Sequence, residues 1–401
     1  MQDSVQYVQV AIPVPMRQLF SYQVPAPLQL PEIIPGERII APFGNRQVVG
    51  IVLSVDKESD ISAEKIKPIS SRVSDNFHFD QALLNFLQLC ANYYHHPIGD
   101  VLQLALPVLL RQLKQPDTRP AKTWACTEIL SVTAIEELKK KAPKQHQLYL
   151  VFQSHKNISW PELRTLGFSK TQLNALNEKS LIEEREQELT TFHWLDSMLN
   201  REDKLQLSIE QALIVSAVQQ NQDKFGCHLI DGITGSGKTE VYLQAIEEVL
   251  ATDKQVLILV PEIGLTPQTL NRFEQRFDVP IYLHHSGLND KERLETWLAA
   301  QQGKAAIVVG TRSAIFTPLK KLGLIIVDEE HDNSFKQQDS FRYHGRDIAI
   351  LRARQLNIPI LLGSATPSLE SLQNALSGKY HYHQLLKRAG TSTQAKISLV
   401  D

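Results

Sequence analysis

The residues best placed to do chemistry are Gly232-Ile-Thr-Gly-Ser-Gly-Lys-Thr239, which fit the phosphate-cradling pattern G-x-x-x-x-G-K-[ST]. Glycines let backbone N–H groups converge on phosphate oxygens, and a following helix adds its positive end. In this pattern Lys238 reaches the β- and γ-phosphates of a nucleotide, and the Thr239 hydroxyl holds Mg²⁺. A second set, Asp328-Glu-Glu-His331, follows an apolar run. Asp328 at a strand end is suited to hold Mg²⁺ opposite Thr239, and Glu329 to polarise an attacking water. An acidic cluster after a strand is ordinarily a solvated strand end; the phosphate loop upstream gives this one a catalytic reading. The catalytic candidates are therefore Lys238, Asp328 and Glu329, with Thr239 and Asp328 as metal ligands.

Three further stretches bear on the same site. Gly363-Ser-Ala-Thr-Pro367 carries small hydroxyl side chains that can link the metal–phosphate site to the rest of the fold, or simply cap a strand-to-helix turn. Gln211, in Leu207-Ser-Ile-Glu-Gln-Ala212, has an amide able to make two hydrogen bonds to the edge of adenine. The nucleotide set is thus Gln211, Gly232, Thr234, Gly235, Ser236, Gly237, Lys238, Thr239 and Glu240. Between Asn333 and Arg346, Phe335, Phe341 and Tyr343 alternate with Lys336, Arg342, His344 and Arg346. Such a loop either stacks bases on its rings and phosphates on its cations, or folds its rings under itself.

Elements must position these groups. Val256–Val260, Ile281–Leu283, Ala306–Val309, Leu324–Val327 and Ile358–Leu362 are short, nearly continuous apolar runs separated by helical stretches such as Asp290–Gln302 and Arg346–Gln355. That alternation predicts a parallel sheet covered on both faces, with ligands at the carboxyl ends of its strands. The first 105 or so residues predict a small β-rich domain, a β-barrel with a packed helix. Its strands are expected at Arg38–Ala41 and Gln47–Val55, around a turn at Pro42–Asn45, with a helix at Asp80–Asn92. Residues 111–123, with Lys114–Pro120 at their centre, are polar and proline-spotted, a linker. Ser159–Gly167, Ser169–Lys179 and Leu181–Glu186 trace helix, turn, helix and charged strand, the outline of a winged helix. Its second helix carries only Lys170 and Lys179 as basic residues, so DNA reading and a structural or partner-binding role both fit.

Composition sets the bounds. The chain has 401 residues, 42% hydrophobic, and a formal net charge of −2, so any contact with nucleic acid must come from local stripes rather than a global basic field. Cys90, Cys126 and Cys227 form no C-x-x-C, so neither a zinc site nor a disulfide framework is expected. The N-terminus shows no signal-peptide pattern, and the most apolar run, Val101–Leu110, is about half a membrane span. A cytoplasmic protein without membrane association is expected.

The motifs in this order resemble the first motor lobe of a superfamily 2 helicase. Val260-Pro-Glu-Ile-Gly-Leu-Thr-Pro-Gln268, His285-Ser-Gly-Leu288, Gly310-Thr-Arg-Ser313, and the acidic motif with its aromatic loop narrow the resemblance to the PriA family of bacterial replication-restart helicases. Ile12–Pro15, Pro42–Gly44 and Tyr93–Asp100 resemble that family as well. The resemblance implies a 3′-DNA-end binding domain over residues 1–108, a linker over 109–123, a winged helix over 124–197 and an ATP-binding RecA-like P-loop lobe over 198–401. It implies ATP-driven 3′-to-5′ unwinding at stalled forks and D-loops. It also implies a monomer that loads the replicative helicase together with single-strand-binding protein, PriB and DnaT. A pocket for the terminal base of a nascent 3′ end falls on Phe20, Ser21, Tyr22, Gly44 and Lys67, with Ser21 where the family pattern carries aspartate. Thr266, Pro267, Thr311 and Arg312 are implied to contact the DNA backbone, and Phe335, Lys336, Phe341, Arg342 and Tyr343 to contact DNA through the loop. The family's second lobe, zinc region and C-terminal domain are expected beyond Asp401. The 401 residues alone are therefore expected to bind nucleotide and DNA, to hydrolyse ATP poorly and not to unwind. A fork-recognition module without hydrolysis and an RNA helicase are the competing readings.

Overall fold

A computed structural model describes residues 6–28, 32–56, 58, 61–73, 77–114, 122–127, 130–154, 158–159, 163, 166–186, 194 and 204–389. The chain divides into two compact units, residues 1–115 with 193–401, and residues 116–192.

The first unit begins with five antiparallel strands: β1 (Gln6–Ala11), β2 (Phe20–Val24), β3 (Arg38–Phe43), β4 (Arg46–Asp56) and β5 (Ser71–Arg72). They lie in the order β2-β1-β4-β3-β5 around a core that includes Val8, Val10, Val24, Ile39 and Val52. The residues just ahead of β5 bond back to β2, through Gln23 N–H to Lys67 O at 3.0 Å and Ile69 N–H to Gln23 O at 3.0 Å, so one short segment joins the two sheet edges. Helices α1 (Gln81–Tyr93) and α2 (Ile98–Ala105) follow. Asp80 caps α1 by accepting the Leu83 N–H at 2.7 Å, and the apolar positions of α1 face inward because they recur every three or four residues. The start of α2 lies directly on the chain after β1: a Cβ on Gly99 would come within 1.8 Å of the Ile12 carbonyl oxygen. Gly99→Ala is therefore expected to cost about 1–3 kcal/mol, read as a lower denaturant midpoint.

After the second unit the first resumes with α6 (Ile209–Gln220), β9 (Gly226–Gly232), α7 (Lys238–Leu250), β10 (Gln255–Leu259), α8 (Pro267–Arg276), β11 (Ile281–His284), α9 (Asp290–Gln301), β12 (Ile307–Gly310), β13 (Leu322–Asp328), α10 (Gly345–Leu356), β14 (Pro359–Ser364), α11 (Leu369–Leu376) and β15 (His381–Leu385). The seven strands form one parallel sheet in the order β11-β12-β10-β13-β14-β9-β15. Alternate residues serve opposite faces: Val256 and Ile258 pack under α6, α7 and α8, while Leu257 and Leu259 pack under α9 and α10.

The second face is shared. Leu83, Leu87, Val101 and Leu102 of α1 and α2 belong to the same apolar cluster as Trp297, Phe316 and Ile348. Trp297 donates its indole N–H to Ala105 O at 2.9 Å, and Gln301 donates to His78 O at 2.6 Å. Residues on both sides of the expected boundary at residue 108 therefore share one core. Leu110 is fully buried, and its carbonyl accepts from Arg38 Nη1 at 2.7 Å, so the start of the expected linker is packed chain. Burial and the loss of hydration push the Arg38 guanidinium down to about 10.

The second unit contains β6 (Lys122–Cys126), α3 (Val132–Lys141), α4 (Pro143–Ser154), β7 (Ile158–Ser159), α5 (Lys170–Glu178) and β8 (Ile182–Glu186), with the strands in the order β7-β6-β8. Lys122 and Thr123, expected in the linker, are strand residues. The helix expected over 159–167 lies mostly outside the described residues, and Ser159 itself is in a strand. Ser169 and Gln172 form a reciprocal cap at the start of α5, which fixes where that helix begins. Leu148, Phe152, Leu173 and Leu176 make the core of the unit.

Candidate nucleotide site

The phosphate loop joins β9 to α7, and its shape depends on two glycines. Gly235 and Gly237 adopt φ of +79° and +84°, which side chains disfavour, and the Ser236 N–H closes the turn on Ile233 O at 3.0 Å. A Cβ on Gly237 would lie 2.3 Å from Gln211 Nε2, so this glycine also allows α6 to approach. Lys238 is half-buried, and its Nζ donates to Gly232 O at 2.6 Å. Thr234 and Gly235 are exposed at the crest of the loop, whereas Ser236 is only 2% exposed and its Oγ has no hydrogen-bond partner.

Asp328 ends β13, two strands away from β9. The two are brought together by Tyr242, one turn beyond Thr239 on α7, whose hydroxyl donates to Asp328 Oδ1 at 3.0 Å. Gly363 permits this approach, because a Cβ there would fall 1.5 Å from the Tyr242 oxygen. Tyr242 was not legible as a site residue, since it sits in an ordinary helical apolar pattern. Burial pushes the Asp328 carboxyl above its usual range, and neighbouring Glu329 adds to the shift; Tyr242 and Lys238 pull against both. A desolvated carboxylate beside a second carboxylate is a donor a divalent cation would stabilise. Thr239 and Asp328 offer the one or two oxygen ligands that Mg²⁺ takes from protein when phosphates and water supply the rest. The residues therefore fit that ion. If turnover needs ionised Asp328, Tyr242→Phe removes a hydrogen bond that favours the charged form. The acid limb of the pH–rate profile should then move to higher pH, and an unmoved limb would show that Asp328 ionisation does not limit the rate.

The residues after Asp328 are held by their backbone and by buried partners. Glu329 adopts φ of +47°, an uncommon backbone for a residue with a side chain. Glu330 is fully buried and receives Arg346 Nη1 at 2.9 Å, the Ser368 N–H at 2.7 Å and the Ser371 hydroxyl at 2.8 Å. His331 Nδ1 lies 2.7 Å from the Ser364 hydroxyl, which also accepts the Thr366 N–H. The Gly363–Pro367 stretch thus is tied to the acidic motif through Ser364, and Ser368 just beyond it caps α11.

A cavity of about 370 Å³ adjoins the phosphate loop, with Leu207, Gln211, Ser236, Leu385 and Arg388 among its walls. Its floor is tied to the loop by the Ile233 N–H to Leu385 O and the Ala389 N–H to Gly235 O, at 3.2 and 2.8 Å. Gln211 lines this cavity, but both ends of its amide are occupied: Oε1 accepts the Ser208 N–H at 2.8 Å and Nε2 donates to Ser236 O at 2.9 Å. Glu240 faces away from the loop, accepting from Gln244 Nε2 at 2.8 Å with Arg276 at 3.6 Å. Among the described residues no group of three or more His, Cys, Asp or Glu is arranged to hold a metal ion by itself.

The expected DNA contacts divide. Phe335, Phe341 and Tyr343 are buried, at 0%, 2% and 2% exposure, so their rings are not the stacking surface expected of them. Burying a large apolar side chain is worth roughly 1.5–3 kcal/mol, comparable to the about 1–3 kcal/mol one base returns on an aromatic face, so stacking offers no clear surplus for turning a buried ring out. Lys336 and Arg342 point the other way and are exposed. Arg312 Nη1 donates to Ser334 O and Lys336 O at 2.6 and 3.0 Å, which ties its side chain to the loop. Thr311 is 6% exposed, too buried to reach a DNA backbone in this conformation. Thr266 is exposed and caps α8, whose first residue is Pro267. Among the residues expected around a DNA 3′ end, Phe20 packs edge-on to Phe43 at 5.2 Å, and Ser21 exchanges hydrogen bonds with Gln9 at 3.0 and 3.2 Å. Gly44 turns at φ of +59° and Lys67 is exposed. Tyr22 departs from the set: strand alternation turns it inward, 4% exposed, with its hydroxyl on Pro42 O at 3.0 Å.

Residues 9–107 match the family model of the PriA 3′DNA-binding domain (3′BD), and residues 208–375 match that of the DEAD/DEAH box helicase. The chain is similar to the replication restart protein PriA of Haemophilus influenzae, 43% identical over 399 residues that make up 98% of this chain and 54% of that protein. It is also similar to PriA of Chlamydia pneumoniae, 34% identical over 98% of this chain and 53% of that protein. A third relative is PriA of Bacillus subtilis, 31% identical over 95% and 55%. The chain therefore spans about half the length of the curated relatives it matches.

Proposed function

Because the chain belongs to the PriA family of replication restart proteins, we propose that it forms the DNA-end-recognising and ATP-binding part of a 3′-to-5′ DNA helicase that acts at stalled forks and D-loops. The observation that carries the hydrolytic part is the Tyr242–Asp328 bond, which sets the acidic motif beside the helix that begins at Lys238. In this reading Lys238 draws charge from the terminal phosphates, Thr239 and Asp328 hold Mg²⁺, and Glu329 orients the attacking water. Bound Mg²⁺ would neutralise the charge that builds on the phosphate oxygens. Residues 1–108 serve as the 3′-end binding domain, with Phe20, Ser21, Gly44 and Lys67 at the end site. Ser21 recognises a terminal base or hydroxyl as a neutral hydrogen-bonding group, where an aspartate would add charge. Residues 124–197 act as a winged helix, and single-strand-binding protein, PriB and DnaT are the partners in helicase loading.

The test is fork binding with the nascent strand ending in a 3′-hydroxyl or in a 3′-phosphate. Affinity is expected to fall with the phosphate, and equal affinity would remove the end-recognition role. No helix of the described residues is long and apolar enough to cross a membrane.

A further inference from the structure

The aromatic loop is fastened at both ends, and one fastening comes from the N-terminal domain. Phe341 lies edge-on to Tyr94 at 5.6 Å and tilted over His96 at 5.0 Å, and it stacks on Tyr343 at 5.0 Å. Tyr343 in turn meets Phe316 edge-on at 5.2 Å. The His344 N–H donates to the Tyr94 hydroxyl at 3.2 Å. Within the loop, the Gln337 N–H closes on Tyr343 O at 2.8 Å, and Arg312 grips the carbonyls of Ser334 and Lys336. Two residues past His344, Arg346 makes the buried ion pair with Glu330, which directly follows Asp328 and Glu329. A path thus runs from Tyr94, the C-cap of α1, by a hydrogen bond to His344, along the backbone to Arg346, and by its ion pair with Glu330 to the acidic motif. In this docked arrangement the rings are buried and the loop turns Lys336 and Arg342 to solvent.

We propose that Tyr94, which lies in the segment matched by the 3′DNA-binding model, is a positioning residue for ATP hydrolysis: it fixes the docked loop, and through Arg346 and Glu330 the placement of Asp328 and Glu329. The docked loop is the working arrangement, and the N-terminal domain is part of the catalytic assembly. This rests on the ATPase reading above.

The test compares the unmodified full-length protein with Tyr94→Phe, which keeps the ring and loses only the hydroxyl. Losing one hydrogen bond should speed hydrogen exchange of the His344 amide by roughly 2–10-fold. The kcat for DNA-stimulated ATP hydrolysis should fall by at least about twofold, with KM for ATP and the half-saturating DNA concentration unchanged. Faster exchange with unchanged kcat would leave Tyr94 a purely structural residue and overturn the proposal. So would a rise in ATPase without DNA, which would make the docked loop a resting state. Loss of ATPase in the unmodified protein would instead remove the hydrolytic reading itself, and is distinguished by the wild-type control.

Discussion

Alanine at Lys238 is expected to lower DNA-stimulated ATP turnover by about 10²–10³-fold, the usual cost of removing one preorganised charge from a reacting centre. Thermal stability should stay within about 0.5 kcal/mol, because the side chain is half-buried and its hydrogen bond goes to the Gly232 carbonyl at the end of β9. A second effect follows from electrostatics. Lys238 helps to hold the Asp328 carboxyl down against burial and Glu329. Without it, residual turnover should lose its acid limb at a higher pH than in the unmodified protein. ATPase assays across pH give both readings, and turnover at the wild-type rate would show that the phosphate loop does no hydrolytic chemistry.

The largest stability effect is expected at Arg346. Replacing it with methionine leaves Glu330 fully buried without its cation, which should cost about 3–5 kcal/mol at neutral pH. The pH dependence has a definite sign. Burial pushes the Glu330 carboxyl up, but the Ser368 N–H, Arg346 and Ser371 together bring it below its ordinary value. In the wild type this stability is present above the ordinary carboxylate range and is lost as pH falls through the lowered folded value. In the variant burial dominates, so the folded value rises and the penalty is relieved on acidification. The difference between the two unfolding midpoints should therefore be greatest near neutrality and shrink as pH falls. A constant difference would show that Arg346 acts by packing alone.

What could be read from the residues depended on how far apart the cooperating groups lie. The phosphate loop and the acidic motif are local patterns at element ends, and the apolar runs of β10, β12 and β13 are strands because parallel strands buried on both faces need no polar alternation. His381-Tyr-His-Gln-Leu385 has no such run, so β15 was not legible; it is an edge strand, where polar residues are tolerated. The aromatic loop shows the opposite limit. Its alternation correctly separates Lys336 and Arg342 from the rings, but which set faces outward depends on Tyr94, His96 and Phe316, far away in sequence. Tyr22 fails for a simpler reason: three consecutive strand residues cannot share one face. Glu240 and Arg312 each have a partner, Arg276 and the loop carbonyls, that only the packing of α8 and the loop brings near.

The shared cluster under α1 and α2 also sets an order of events during synthesis. The core of the first five strands involves residues made early, whereas the partner of Ala105 is Trp297, 192 residues later. At ribosomal rates of about 5–20 residues per second, that is a delay of roughly 10–40 s. For that interval the apolar side of α1 and α2 lacks the part of its native cover that Trp297 and Phe316 supply, while residues 116–192 emerge as a unit with their own core. A nascent chain paused in this window holds α1 and α2 without the Trp297, Phe316 and Ile348 side of their cluster.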